Sequence, residues 1–201
     1  MAPRTAAVVA LLFTLALITG CSMAHGDPAH PELNPHPKQR YEVTVTVDAP
    51  GPFDSVKGHV WYAIANPECT PKNLLEGVHN LPADVDRTIV LTRVDDHTYH
   101  GYFYRDLLQG EDYFGKGICR WEVSGAGANF MVHGLLFPAS VNPFDIYTGH
   151  PLDLGRTKTF PFSVKQFFDR TLNDQNFSMA DAGQDGDKTF NISVMVKESE
   201  Q

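Results

Sequence analysis

From Tyr41 the chain alternates with a period of two. Tyr41, Val43, Val45 and Val47 interleave with Glu42, Thr44, Thr46 and Asp48. Successive side chains of a strand point to opposite faces, so this pattern predicts a half-buried strand with one wet face. Residues 59–65 are apolar on both faces, with Val60, Tyr62 and Ile64 against Trp61, Ala63 and Ala65, and predict a central strand. Residues 88–94 and 98–104 flank the turn formers Asp95, Asp96 and His97 and predict a hairpin. Residues 118–123 and 130–137 flank the Gly-rich run 124–129, which predicts a second hairpin with Gly125-Ala126-Gly127 as its turn. Residues 157–164 contain Pro161, which cannot donate to a ladder and places that strand at an edge. Phe190, Ile192, Val194 and Val196 alternate with polar neighbours in a last strand, and 164–172 suits one short helix.

Strands with turn signals between them, and almost no helical periodicity, predict an all-β fold. The expected architecture is an antiparallel β-sandwich, immunoglobulin-like or related, of about seven to eight strands with at most one short helix. Two connections stand out. Residues 109–116 place Glu111 and Asp112 before Tyr113 and Phe114; residues 138–156 lack a strand pattern and include Phe144 and Tyr147. Long connections inside compact domains usually carry function, and loop aromatics beside acids suit a protein-binding surface. The same rings could instead fold back and cap the sandwich. The candidate partner-binding residues are Glu111, Asp112, Tyr113, Phe114, Phe144 and Tyr147.

Ahead of the strands the pattern changes twice. Residues 22–40 hold Pro28, Pro31, Pro35 and Pro37 with few apolar residues, and predict a semi-rigid, poorly ordered stalk. Before that, Arg4 precedes a run from 6 to 18 that is apolar except for Thr14, closed by Ile18-Thr19-Gly20-Cys21. Such a run rises only about 20 Å as a helix, short of the roughly 30 Å hydrocarbon core. It reads as a cleaved leader rather than a span. Ile18-Thr19-Gly20-Cys21 resembles the lipobox of bacterial lipoproteins position by position. The resemblance implies cleavage before Cys21, lipid on its sulfur and an acylated N-terminus. With Ser22 following, it further implies sorting to the periplasmic face of the outer membrane. The expected organisation is a signal peptide over 1–20, a lipidated cysteine and stalk over 21–40, and one domain over 41–201.

Removing residues 1–20 takes away Arg4 and no acid, leaving 15 Lys+Arg against 24 Asp+Glu and a net charge of −9. An acidic chain without a basic stripe is a poor partner for phosphate backbones, which excludes nucleic acid. Cys69 and Cys119 form an even pair that reads as a disulfide in an oxidising space. Closing a loop of about 50 residues would contribute about 4 kcal/mol in the chain-entropy model.

Candidate chemistry is sparse. Nucleophile elbows, metalloprotease helices, P-loops and dinucleotide fingerprints do not occur in the sequence. Asp181, Asp185 and Asp187, with Gly183 and Gly186, could hold calcium but break the EF-hand order and read as a solvated turn. His97 and His100 differ by three and fall on opposite faces of a strand, so zinc is not expected there. His25, His30 and His36 in the stalk read as solvated. His59 and His133 read as hydrogen-bonded residues within strands. No metal, cofactor or catalytic group is expected.

The segment Gly115-Lys116-Gly117-Ile118-Cys119-Arg120-Trp121, taken with 61–67 and Cys69, resembles small periplasmic lipoproteins, some of which protect their owner from antibacterial effectors. Together these features imply a membrane-anchored, non-catalytic protein-binding module. It would act as an immunity or inhibitor protein against an effector or hydrolase of basic charge. The alternative is a structural or accessory lipoprotein of envelope assembly.

Overall fold

The computed structural model describes residues 26–170, 178–180, 186 and 188–199. The lipobox at 18–21 and the candidate calcium ligands Asp181, Asp185 and Asp187 lie outside them. Two five-stranded sheets face each other. In chain order the strands are β1 (Arg40–Val47), β2 (Ser55–Ile64), β3 (Val85–Ile89), β4 (Thr92–Arg93), β5 (Thr98–Tyr104), β6 (Trp121–Val132), β7 (Leu135–Val141), β8 (Thr157–Ser163), β9 (Ser178–Met179) and β10 (Thr189–Glu198). One sheet runs β4-β5-β1-β10-β8 and the other β3-β2-β6-β7-β9. All pairings are antiparallel except β7 with the two-residue β9. A single turn of helix, α1 (Val164–Phe167), follows β8.

The alternation of β1 and β10 does what its period dictates. Tyr41, Val43, Val45 and Val47 are buried with Phe190, Ile192, Val194 and Val196. They belong to one core with Ala126, Ala128, Phe130, Phe137, Ala139 and Val141 of the second sheet. Pro161 sits on β8, at the edge of its sheet, where a missing donor is harmless.

Four expectations need correction. The Gly-rich run is not a turn: β6 passes straight through it, and the hairpin closes at His133-Gly134, with φ of 51° and 78°. His133 is therefore a turn residue, its backbone N–H held by Asp54 Oδ2 at 2.8 Å. The small residues serve close approach instead. A Cβ on Gly127 would run into the Ala139 carbonyl, and one on Gly125 would lie 3.2 Å from Cε3 of Trp61. Second, the strand expected over 88–94 is split. Its first part, β3, pairs with β2, and β4 pairs with β5 in the other sheet, so the chain changes sheets at Val90-Leu91. Third, β7 continues through Pro138 to Val141, which shortens the irregular connection to 142–156. Fourth, from Gly26 onward the segment expected to be a stalk lies on the domain. Asp106 accepts hydrogen bonds from the backbone N–H of Lys38 and Gln39, and Asn34 donates to the Asp106 carbonyl at 2.8 Å. Leu33 forms a bridge with Leu108. Proline density did not prevent docking, because a neighbouring loop supplies the partners.

Candidate functional site

Strand register sorts the loops to two ends. Arg40 pairs with Tyr104, Tyr41 with Glu198, Ile64 with Trp121 and Ala126 with Val141. The loops leaving these strand ends (65–84, 105–120 and 142–156) therefore gather at one end of the sandwich, together with residues 26–39. Of the six candidate partner-binding residues, Tyr113 and Phe144 are buried, Glu111, Asp112 and Phe114 are half-buried, and Tyr147 is exposed.

Cys69 and Cys119 are joined as a disulfide spanning 50 residues of sequence, with Cα atoms 5.3 Å apart. They form a small second core with Ile64 and Tyr113, against which Phe114 and Trp121 pack. Tyr113 is only 5% exposed. Its hydroxyl accepts from Trp121 Nε1 at 3.1 Å and donates to the Gln109 carbonyl at 3.3 Å. Burial raises the pKa of this phenol, with the indole hydrogen bond opposing the shift. Phe114 is half-buried. Glu111 and Asp112 are half-buried too: Glu111 accepts the Cys119 N–H through its carbonyl, and Asp112 caps the N–H of Lys116 at 2.9 Å. Asn66 ties the same loop, donating to the Ile118 carbonyl and accepting the Arg120 N–H. The reading of Tyr113 as a partner contact gives way to capping. An indole and a disulfide cover it, and neither can be foreseen from the loop's own composition.

The 142–156 connection is built on Phe144, which is buried. Its ring lies edge-on to Tyr41 at 5.2 Å, with the Arg105 guanidinium 3.9 Å above it. Arg105 also pairs with Glu122 through two donors and reaches the Gly149 carbonyl at 3.0 Å. The pairing raises the Arg105 pKa, hydrogen bonding to Glu122 being the chief cause. On this base stands a tight turn. Asp145 accepts from the N–H groups of Tyr147 and Thr148 and from the Thr148 hydroxyl. Those bonds, the Thr148 N–H first, hold its carboxyl below the ordinary range. The turn presents Tyr147, 56% exposed, and Leu152, further along the same connection, is also exposed.

A second loop went unread in the sequence. Between Cys69 and Pro82 the chain makes a small hairpin in which Lys72 bridges His79. Asn73 accepts the Leu75 N–H at 3.0 Å, donates to Glu76, and exchanges backbone bonds with Gly77 and Val78. At its tip Leu74 is 89% and Leu75 98% exposed. The available signal was an Asn-Leu-Leu-Glu-Gly run that fits neither period.

Histidines do not converge. His97 donates through Nδ1 to the Val47 carbonyl at 2.9 Å, whereas His100 faces Glu42 at 3.9 Å. His59 bonds Asp86 at 3.0 Å and stacks on Trp61. Among the described residues, no three His, Cys, Asp or Glu side chains are grouped to hold a metal ion. The described residues include no helix long and apolar enough to cross a membrane. Comparison with protein-family models, curated proteins and solved structures finds no match.

Proposed function

We propose that this chain is a membrane-anchored lipoprotein of the periplasmic face of the outer membrane, acting as a non-catalytic protein-binding module. Its lipid sits on Cys21. Its partner is an antibacterial effector or hydrolase of basic charge, which it neutralises as an immunity protein. The observation that carries this reading is the seat of Gly26. That residue rests on Glu111 and Tyr113, beside the Cys69–Cys119 disulfide and five positions after Cys21. A short tether and an oxidised brace at one end suit a domain held close to a bilayer outside the cytoplasm.

For the partner, the 145–149 turn supplies what a hot spot needs. Tyr147 is an aromatic with few rotamers to lose, on a turn already ordered by Asp145, and Leu152 of the same connection is also exposed. The acidic balance of the chain favours a basic partner through steering of the encounter. A photo-crosslinker at position 147 in living cells tests the reading, paired with mass spectrometry of the N-terminal peptide. The expected result is an acylated Cys21 and an adduct with a basic effector, with Tyr147→Ala weakening the purified complex about tenfold or more. An adduct confined to resident envelope proteins would instead make the chain an assembly accessory. An unmodified Cys21 would end the lipoprotein reading.

A further inference from the structure

We infer that the 71–80 hairpin is a second, non-covalent membrane contact, in which Leu74 and Leu75 enter the acyl boundary of a neutral bilayer. The inference rests on the lipoprotein reading and adds an orientation to it.

The first observation is the tip itself. Two adjacent leucines at 89% and 98% exposure leave nearly their whole side chains in water. Leaving one such side chain in water rather than in an apolar phase is unfavourable by a factor of roughly ten or more. The tip is also built in advance. Asn73 closes the turn, Asn80 donates to the Pro71 carbonyl at 2.8 Å, and His79 lies against Thr70 beside the buried Cys69. Inserting such a loop orders little that is not already ordered.

The second observation is where the chain from Cys21 arrives. Gly26 lies against Tyr113, whose ring belongs to the same small core as Cys69. Five residues from Cys21 to Gly26 span at most about 18 Å, and five from Cys69 to Leu74 span no more. Acyl chains on Cys21 and the leucine tip therefore start from one patch of the molecule, each within reach of the same surface. Residues 28–30 and 82–87 line a shared cleft, which keeps the tether beside the chain that leaves the hairpin and enters β3.

The third observation is area and charge. A specific protein interface covers about 800 Å² per partner, far beyond two leucines, whereas a bilayer needs no complementary pocket. The hairpin carries Lys72 against Glu76, and the chain is acidic overall, so attraction to anionic headgroups adds nothing. The fitting occupant is a neutral bilayer. Because the covalent lipid already supplies a high local concentration, weak insertion is enough to set the orientation.

The test uses the full lipidated chain in phosphatidylcholine vesicles whose acyl chains are brominated near the carbonyl. Leu75→Trp and, at the opposite end, Val94→Trp each add one indole to the native pair; the wild-type signal is subtracted. The added indole at 75 should shift to the blue and lose about half its emission, while that at 94 stays as in plain vesicles. An anchored chain whose indole at 75 is quenched no more than that at 94 overturns this inference alone. A shift at 75 that needs an added envelope protein also overturns it, because the occupant is then protein. A chain with no acyl mass on Cys21 that fails to float with vesicles removes the lipoprotein reading and this inference together. Leu74→Ser/Leu75→Ser, which touches no core contact, should leave the anchored chain folded but abolish the added protection that vesicles give the hairpin amides against hydrogen exchange; added protection undiminished in this variant would overturn the inference.

Discussion

The two ends of the sandwich are closed by different physics. At the end carrying Phe53, ring packs against ring: Phe53, Phe130, Phe137, Phe162, Phe167 and Phe190 lie with centroids 4.9 to 6.3 Å apart. At the other end three long loops are held by a disulfide, a partly buried ion pair and side-chain caps, and although both ends leave some apolar side chains in water, the most exposed, Leu74 and Leu75, are here. The first end is closed chiefly by burial of aromatic rings. The second secures each loop locally and leaves its surface open.

Truncation at the aromatic end should cost most. Phe137→Ala removes a fully buried ring that touches Phe53, Phe162, Phe167 and Phe190. A loss of about 3–5 kcal/mol is expected in denaturant unfolding. Replacing Cys69 and Cys119 together with alanine comes next, at about 2–4 kcal/mol. The comparison sharpens through hydrogen exchange. The double variant should unprotect 66–82 and 109–120 well before β1 and β10, whereas Phe137→Ala should lower protection throughout. If loss of the disulfide unprotects both ends equally, the two-ended description fails.

How far the sequence reveals each end follows from the range of the forces involved. The strands at Tyr41–Val47 and Phe190–Val196 are legible because alternation is local, and so is the edge position of Pro161. The cysteine pair was legible from number alone. The run Gly125-Ala126-Gly127 was misread because small residues serve a turn and a close approach equally well. Only Trp61 and Ala139, distant in sequence, decide between them. Whether Tyr113 and Phe144 face a partner or cap the sandwich stayed open for the same reason. What buries them is Trp121 and the disulfide in one case, Arg105 and Tyr41 in the other. Segment 26–40 looked like a free stalk because its docking partner, Asp106, lies 67 to 68 residues on from Lys38 and Gln39.

Between the sheets, Tyr62 links the halves of the loop end: it is fully buried and its hydroxyl donates to the Tyr104 carbonyl. Burial pushes this phenol well above its ordinary value of 10.0. An acid whose folded pKa is raised contributes stability that is complete below the unfolded value and is lost as pH rises beyond it. Wild type should therefore lose stability above about pH 10 more steeply than Tyr62→Phe. At neutral pH, Tyr62→Phe should cost only about 1 kcal/mol. Parallel alkaline curves for the two proteins would show that this hydroxyl does not couple the sheets.

The smallest effect on stability is expected where exposure is greatest. Leu74→Ser/Leu75→Ser removes two side chains that make no core contact, and the Asn73 turn beneath them is held by backbone and amide bonds. Exposed substitutions of this kind fall within about 0.5 kcal/mol, so the midpoint of thermal unfolding should stay within about 2 °C of wild type. The contrast with Phe137→Ala is the point. Both variants delete apolar surface, but one deletes surface the fold has already taken from water and the other deletes surface the fold leaves in it. A midpoint several degrees lower for the double serine variant would mean that these leucines are packed in solution. The loop end would then be closed by apolar burial like its opposite.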